Sequence, residues 1–270
     1  MLSDSDVWAY LERIDYEGPL VPIRQTLDGL ALAHVSAIPF ENLDVLLDRR
    51  ISLEPAALVD KLVHARRGGY CFEQNGLFLE VLETLGFDVT PLSARVRIGR
   101  ARDFVPPRTH LLMRVALEEG PRLVDVGVGA LSLTGSIGLV EDEVQETPHE
   151  PRRLLREGDL WFHQARLGEV WSDVCELTLE AMPRIDRELA NWYTSTHPDS
   201  SFRARLIAAR AAPAGGRVTL ADRELTLRGA DGRGVTTTVG DPDALLDVLR
   251  EQFGLDLPSG TRFPIPTFQP

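Results

Sequence analysis

The sequence predicts an α+β protein in which three regions of different character follow one another. Apolar residues recur at helical spacing over residues 1–86, short apolar segments separated by turn residues fill residues 87–181, and helices and strands are mixed over residues 182–270. With 270 residues, of which 43% are hydrophobic, the chain can bury a substantial core divided between two or three compact units. We therefore expect a helical region, a barrel- or sheet-like β region and a mixed α/β region.

Four helices are predicted in the first region. Asp4 or Ser5 can cap the first of them, and a second apolar stretch covers residues 27–35. A third helix has Pro55 in its first turn and is expected to end at the glycine pair Gly68-Gly69, and a fourth runs from Cys71 to a stop at Gly86.

Strands dominate the second region and recur in the third. The predicted strands of the second region cover residues 89–98, 110–117, 123–126, 160–165 and 170–177. A turn at residues 118–121 would make the second and third of these antiparallel neighbours. In the third region Pro183 can open a helix, strands follow at residues 217–220, 224–227 and 235–239, and a last helix is capped by Asp241, opened by Pro242 and closed by Gly254.

The most informative segment places a cysteine directly after a tight turn. Gly68 and Gly69 supply the turn, so Cys71 begins the fourth helix. Unpaired backbone N–H groups and the positive end of the helix dipole favour a thiolate there, and a thiolate attacks carbonyl groups. A lone cysteine is also commonly a small buried apolar residue, so the nucleophile hypothesis requires a base and a group that orients it.

His110 and Asp125 are the candidates for the base and its orienting acid. His110 leads into the strand 110–117, and Asp125 lies near the end of the strand 123–126. The predicted hairpin would let the two side chains meet across the ladder, although a strand end exposed to solvent and a turn acid before glycine are the plainer interpretations. The predicted site is a cysteine-protease-like triad of Cys71, His110 and Asp125.

Several ordered segments resemble the arylamine N-acetyltransferases. They extend over nearly the whole chain in the family's order and are residues 38–43 (IPFENL), 67–75 (RGGYCFEQN), 108–110 (RTH), 124–127 (VDVG), 195–198 (STHP) and 253–255 (FGL). The resemblance implies an N-terminal helical bundle, a central β-barrel and a C-terminal α/β lid. It also implies acetyl-coenzyme A as donor, a ping-pong acyl-cysteine mechanism, and arylamines, arylhydrazines or arylhydroxylamines as acceptors.

The resemblance also implies further site residues. Gly127 and Gly129 occupy a turn that in the family lies beside the active cysteine and accommodates coenzyme A, although by itself this turn is weak support for any ligand. Val128 departs from the phenylalanine of many relatives, which lines the acceptor pocket. The positions that match the family's acceptor cleft are Phe40, Val96, Thr109, Val128 and Phe202, and for the apolar ones ordinary core packing is the alternative.

Composition and spacing exclude several classes of partner. A net charge of −12 disfavours a general phosphate-backbone binder, so we expect no nucleic acid. The six histidines and two cysteines lack the spacing of a metal site, so no metal is expected. The amino terminus is acidic and no apolar run reaches spanning length, which predicts a cytoplasmic protein without membrane contact.

Two alternative activities use the same triad, and a third alternative, which the complete triad disfavours, is a non-catalytic binder that retains the fold. A hydrolase or peptidase-like enzyme would admit water to the acyl-cysteine, and an amide synthase of the same family would close a macrolactam on a carrier-bound acyl chain. We expect Cys175, which alternates within a predicted strand, to be a packed thiol and a control for Cys71.

Overall fold

The structure, a computed structural model, describes residues 1–212 and 215–264. Within them no helix is long and apolar enough to cross a membrane. A π-helical turn, Asp60–His64, directly follows the α-helix Pro55–Val59. The helices are α1 (Asp4–Arg13), α2 (Arg24–Ala37), α3 (Leu43–Leu46), α4 (Pro55–Val59), α5 (Cys71–Thr84), α6 (Arg184–Thr196), α7 (Ser201–Ala204) and α8 (Pro242–Phe253).

The strands form two antiparallel sheets. They are β1 (Phe40–Glu41), β2 (Asp88–Val96), β3 (His110–Ala116), β4 (Arg122–Val124), β5 (Ile137–Gly138), β6 (Arg152–Glu157), β7 (Leu160–Leu167), β8 (Val170–Ala181), β9 (Ile207–Ala211), β10 (Arg217–Ala221), β11 (Glu224–Arg228) and β12 (Gly234–Thr238).

The larger sheet is nearly closed into a barrel. Its seven strands have the order β5-β4-β3-β2-β8-β7-β6. The segment after β5 reaches the far edge, where isolated bridges join Glu141 to Leu154 and Gln145 to Arg152. Closure of this kind covers strand edges that would otherwise be exposed. The barrel-like sheet expected from the sequence is therefore present, within a fold of mixed helix and sheet.

The smaller sheet joins one short strand from the N-terminal region to four strands from the C-terminal region. Its order is β1-β9-β10-β11-β12, and β1 pairs with β9 through Phe40 opposite Ala209. Helix α8 covers one face, where Leu245, Leu249 and Phe253 are buried. The glycine turn before α5 also bridges to this sheet through Gly69 and Phe40.

Helix α5 lies at the centre of the molecule. It contacts β2, β3 and α4, and eleven of its fourteen residues are buried. Its apolar face, including Leu77, Phe78 and Val81, belongs to a core shared with α1, α2 and the strands β3 and β4. A second core, containing Leu92, Leu112 and Leu154, fills the barrel. The residue that begins α5 is thereby held between the helices and the barrel.

Most predicted elements agree with the structure, with local corrections. The cap of α1 is Ser3, because its hydroxyl accepts from the Asp6 N–H, so the assignment to Asp4 or Ser5 was wrong. The third predicted helix ends at His64 instead of the glycine pair. The strands β1, β5, β6 and β9 were not predicted; two are only two residues long. Residues 213–214 and 265–270 of the predicted lid region lie outside the described residues.

Candidate active site

Cys71 is the first residue of α5 and is 4% exposed. The turn before it is held by Glu73, whose Oε2 accepts from the Tyr70 N–H at 3.0 Å and whose Oε1 contacts Lys61 Nζ at 2.6 Å. The Cys71 thiol donates to the Thr109 carbonyl oxygen over 3.6 Å, so Thr109 contacts the candidate nucleophile through its backbone.

His110 and Asp125 meet as the hairpin predicted. Strands β3 and β4 pair with Met113 opposite Val124, so the register places Asp125 opposite Leu112, two positions from His110 and on the same face of the sheet. The His110 Nε2 and Asp125 Oδ2 atoms are 2.7 Å apart, and both side chains are at most 1% exposed. With Nε2 engaged by the carboxylate, Nδ1 is the imidazole nitrogen left for the thiol.

The site favours a charged imidazole. Burial opposes the charge on His110, but Asp125 and then Cys71 outweigh it and raise the pKa of His110 from 6.5 to about 10. Burial likewise opposes ionisation of Asp125, but His110, Asn75 and the Gly127 N–H lower the pKa of that carboxyl. His34, buried without a carboxylate partner, shows the contrast, because burial lowers its pKa to about 4.

Asn75 connects α5 to β3 and to the segment that follows β4. Its Nδ2 donates to Asp125 Oδ1 at 2.9 Å and to the Leu111 carbonyl oxygen at 2.6 Å, and its Oδ1 accepts from the Val126 N–H at 2.9 Å. Asn75 lies one helical turn after Cys71, so both side chains leave the same face of α5. That i, i+4 spacing was the available signal.

The predicted glycine turn packs directly on Cys71. A Cβ atom on Gly127 would lie 3.0 Å from Cys71 Cα and 2.6 Å from Asn75 Nδ2. Gly129 has φ +92°, a left-handed conformation that favours glycine, and a Cβ atom there would lie 3.4 Å from the Phe40 ring. The Gly127 N–H donates to Asp125 Oδ1 at 3.0 Å. The close approach to Cys71 and Asn75 therefore favours glycine at position 127, and the left-handed backbone favours glycine at position 129.

The five predicted acceptor-site residues fall into two groups. Phe40 and Phe202 share an apolar cluster with Cys71 and Tyr70, and their ring centroids are 6.1 Å apart. Val96 and Val128 belong to a separate cluster with Ala165 and Val174 of the barrel. Thr109 lies beside the thiol, as described above. The structure thus brings Phe40, Phe202 and Thr109 close to Cys71, whereas Val96 and Val128 lie in a different apolar cluster.

The second cysteine has different surroundings. Cys175 is fully buried in β8, and burial raises the pKa of its thiol well above the ordinary value. Its nearest imidazole, His163, lies 3.9 Å away through Nδ1, and burial and then Arg152 lower the pKa of His163 to about 3. Among the described residues, no group of three or more His, Cys, Asp or Glu side chains is placed to hold a metal ion.

Comparisons with known proteins agree with this geometry. An N-acetyltransferase family model matches residues 25–262. The arylamine N-acetyltransferase of Escherichia coli is 43% identical over 247 residues, which are 91% of this chain and 87% of that protein. The chain belongs to the arylamine N-acetyltransferase family. It is therefore an acyltransferase enzyme.

Two further relatives carry information about ligands. The Salmonella typhimurium protein named arylamine N-acetyltransferase / N-hydroxyarylamine O-acetyltransferase is 41% identical over 248 residues, covering 92% of this chain and 88% of that protein. The Mycobacterium marinum arylamine N-acetyltransferase, solved in complex with coenzyme A, has a TM-score of 0.88 and 38% identity and covers 92% of each chain.

Proposed function

We propose that this chain transfers an acetyl group from acetyl-coenzyme A to arylamines, arylhydrazines or arylhydroxylamines through an acetyl-thioester on Cys71. The observation that carries the proposal is the buried contact between His110 and Asp125 beside Cys71, which begins α5. The relatives named above support the donor and the acceptor class, since one binds coenzyme A and others are named for arylamines.

Activation of the thiol follows from the charge of the site. Asp125 keeps the proton of His110 on Nε2 and favours the imidazolium, so the Cys71 thiol transfers its proton to Nδ1 and remains as a thiolate. The start of α5 adds a favourable dipole for that thiolate. The pair is buried, so its attraction is weakly screened.

The first half-reaction moves the acetyl group to the enzyme. The Cys71 thiolate attacks the acetyl carbonyl carbon and forms a new C–S bond. The bond to coenzyme A breaks, and its sulfur leaves with the proton from His110. The backbone N–H of Cys71, at a helix position that lacks an intrahelical acceptor, is a candidate donor to the carbonyl oxygen as negative charge develops there.

The second half-reaction moves it to the acceptor. An arylamine is weakly basic and therefore largely unprotonated near neutral pH. Its nitrogen attacks the acetyl-thioester, His110 takes the amine proton, and the C–S bond to Cys71 breaks to regenerate the thiolate. In this proposal Gly127 and Gly129 let coenzyme A approach the thiol, while Phe40, Phe202, Thr109, Val96 and Val128 shape the acceptor pocket.

Acetylation of the enzyme by acetyl-coenzyme A in the absence of an acceptor is the direct test. Peptide mass mapping is expected to place one acetyl group on Cys71 in the parent and in Cys175→Ala, and none in Cys71→Ala. Acetyl found on Cys175, or normal turnover by Cys71→Ala, would refute the assignment.

Release of free coenzyme A thiol separates this proposal from its alternatives. Sustained release only when an arylhydrazine is added supports acetyl transfer. Sustained release without any acceptor would instead indicate the hydrolase or peptidase-like activity. Absence of both release and acetylation would leave an amide synthase acting on a carrier-bound chain as the better description.

A further inference from the structure

The loop that carries Gly127 and Gly129 contacts both Cys71 and Phe40 and forms a wall of the site beside the thiol. Gly127 packs on the Cys71 backbone with no space for a Cβ atom, and Gly129, whose φ of +92° favours glycine, lies against the Phe40 ring. A small displacement of this loop therefore changes the space available to any molecule that reaches the thiol. The groups that hold the loop in place are consequently part of the geometry of the site.

Two buried arginines hold the end of this loop by its carbonyl oxygens. Arg152 Nη1 donates to the Leu131 carbonyl oxygen at 3.0 Å, and Arg217 Nη2 donates to the Ser132 carbonyl oxygen at 3.0 Å. Inside the loop, the Ser132 hydroxyl accepts from the Gly129 N–H at 3.0 Å. The two arginines thus act on the loop two to three residues beyond Gly129.

Glu150 joins the two arginines to each other. Arg217 Nε and Nη2 contact its two carboxylate oxygens at 2.6 Å each, and Arg152 Nη2 contacts Oε2 at 2.9 Å. Arg152 is fully buried and Arg217 is 4% exposed. Two guanidinium groups and one carboxylate leave one net positive charge, which buried surroundings tolerate only with further acceptors. The Leu131 and Ser132 carbonyl oxygens are such acceptors.

Arg217 reaches the loop from a distant part of the chain. It begins β10 in the smaller sheet, 85 residues after Ser132, whereas Arg152 begins β6 of the barrel. We propose that Arg217, through its shared contact with Glu150 and Arg152, is a positioning residue that couples the smaller sheet to the loop wall beside Cys71. This inference rests on the proposed function only in taking Cys71 as the nucleophile.

Alkylation of Cys71 by two reagents of different size tests the position of the wall without acetyl-coenzyme A. Iodoacetamide is small and iodoacetanilide carries an aromatic ring. In Arg217→Met the Ser132 carbonyl oxygen loses its 3.0 Å contact with Arg217 and keeps only the longer contact with Arg152 Nη2 at 3.5 Å, so the wall relaxes away from the thiol. We expect the ratio of the iodoacetanilide rate to the iodoacetamide rate to rise about tenfold. The pH profile of the iodoacetamide rate is expected to stay unchanged, because Asn75 still holds Asp125.

The control variants separate positioning from general destabilisation. Arg250→Met removes an exposed arginine paired with Asp247 on α8 and is expected to keep the parent ratio. Arg217→Lys keeps the charge but loses the two-pronged contact, and Glu150→Gln removes the shared carboxylate; both are expected to raise the ratio. An unchanged ratio in these two folded variants would overturn the proposal even if Arg217→Met fails to fold.

A second measurement distinguishes this inference from the proposed function. With acetyl-coenzyme A and an arylamine, Arg217→Met is expected to raise the amine KM more than it lowers the rate of Cys71 acetylation. Equal losses in both half-reactions would contradict a role in positioning the wall. If the parent is not acetylated at all, the proposed function fails, while the alkylation ratio still decides the role of Arg217.

Discussion

Replacement of Asp125 by asparagine is expected to prevent His110 from acting as the base without disturbing the fold. Asp125 Oδ1 accepts from the Asn75 Nδ2 group and from the Gly127 N–H. In Asp125→Asn these two donors require the amide oxygen at that position, so the amide NH₂ group faces His110. His110 Nε2 must then accept a hydrogen bond, which places the proton of the neutral ring on Nδ1, the nitrogen that faces the thiol.

The size of the effect follows from the environment of His110. In the parent, Asp125 and Cys71 overcome burial and hold the pKa of His110 at about 10, so the ring is charged near neutral pH. In the variant the contribution of Asp125 is lost and burial opposes the charge, so the pKa of His110 is expected to fall toward the value of about 4 that buried His34 has. An unassisted thiol is about 3% ionised near pH 7, so the alkylation rate of Cys71 is expected to fall about thirtyfold.

The pH profile of iodoacetamide alkylation, measured from about pH 5 to 10, is the assay. The difference between parent and variant is expected to shrink above about pH 9, where the thiol ionises without help. Cys175→Ser serves as the background to confirm which thiol reacts, and Asp173→Asn removes a carboxylate that pairs with Arg102 on the barrel surface. If Asp125→Asn alkylates as fast as the parent at every pH, the helix end alone activates Cys71 and the triad is wrong.

Three further predictions concern stability and specificity. The raised pKa of His110 adds stability that is present below about pH 6.5 and is lost as the pH rises through about 10. The free energy of unfolding of the parent, measured with urea, should therefore fall across that window, and that of Asp125→Asn should not. An equal dependence on pH in both proteins would contradict the ion pair. Asn75→Ala leaves the Val126 N–H and the Leu111 carbonyl without their side-chain partner and leaves Asp125 Oδ1 with only the Gly127 N–H. At about 1 kcal/mol for each of the two unsatisfied groups, we expect a loss of about 2 kcal/mol in urea unfolding together with slower Cys71 alkylation; a folded variant with parental values would mean that water replaces the amide. Val128→Phe should shift preference from bicyclic toward single-ring arylamines in the second half-reaction while the rate of enzyme acetylation stays nearly constant, and an unchanged acceptor ranking would show that Val128 only packs against Ala165 and Val174.

Local signals in the sequence were sufficient where the determining groups are close along the chain. Helix α8 begins and ends as predicted because Asp241 caps it, with its carboxylate accepting from the Asp243 and Ala244 N–H groups, and Gly254 adopts the left-handed conformation that closes it. The β3-β4 hairpin is equally local, since the five residues 117–121 connect its strands and set its register. That register is the reason the His110 to Asp125 contact was predictable.

Signals were insufficient where a short segment depends on a distant partner. The strand β1 has two residues, and only its pairing with β9 gives it a defined place. The end of the third predicted helix was wrong because the chain leaves the helical path at His64, before the glycine pair. No residue spacing in the sequence distinguishes such segments from loops, because the backbone hydrogen bonds that define them are made far along the chain.

The sequence by itself determined the family, the helix that begins at Cys71 and the order of Cys71, His110 and Asp125, because glycine turns, caps and strand patterns act over a few residues. Only the tertiary structure decided how the site is held. Asn75 reaches Asp125 across 50 residues and Arg217 reaches Ser132 across 85. Asparagine and arginine are usually exposed, so the sequence does not mark these two as structural residues. They become so because the fold buries them beside carbonyl and carboxylate oxygens that need a hydrogen-bond donor.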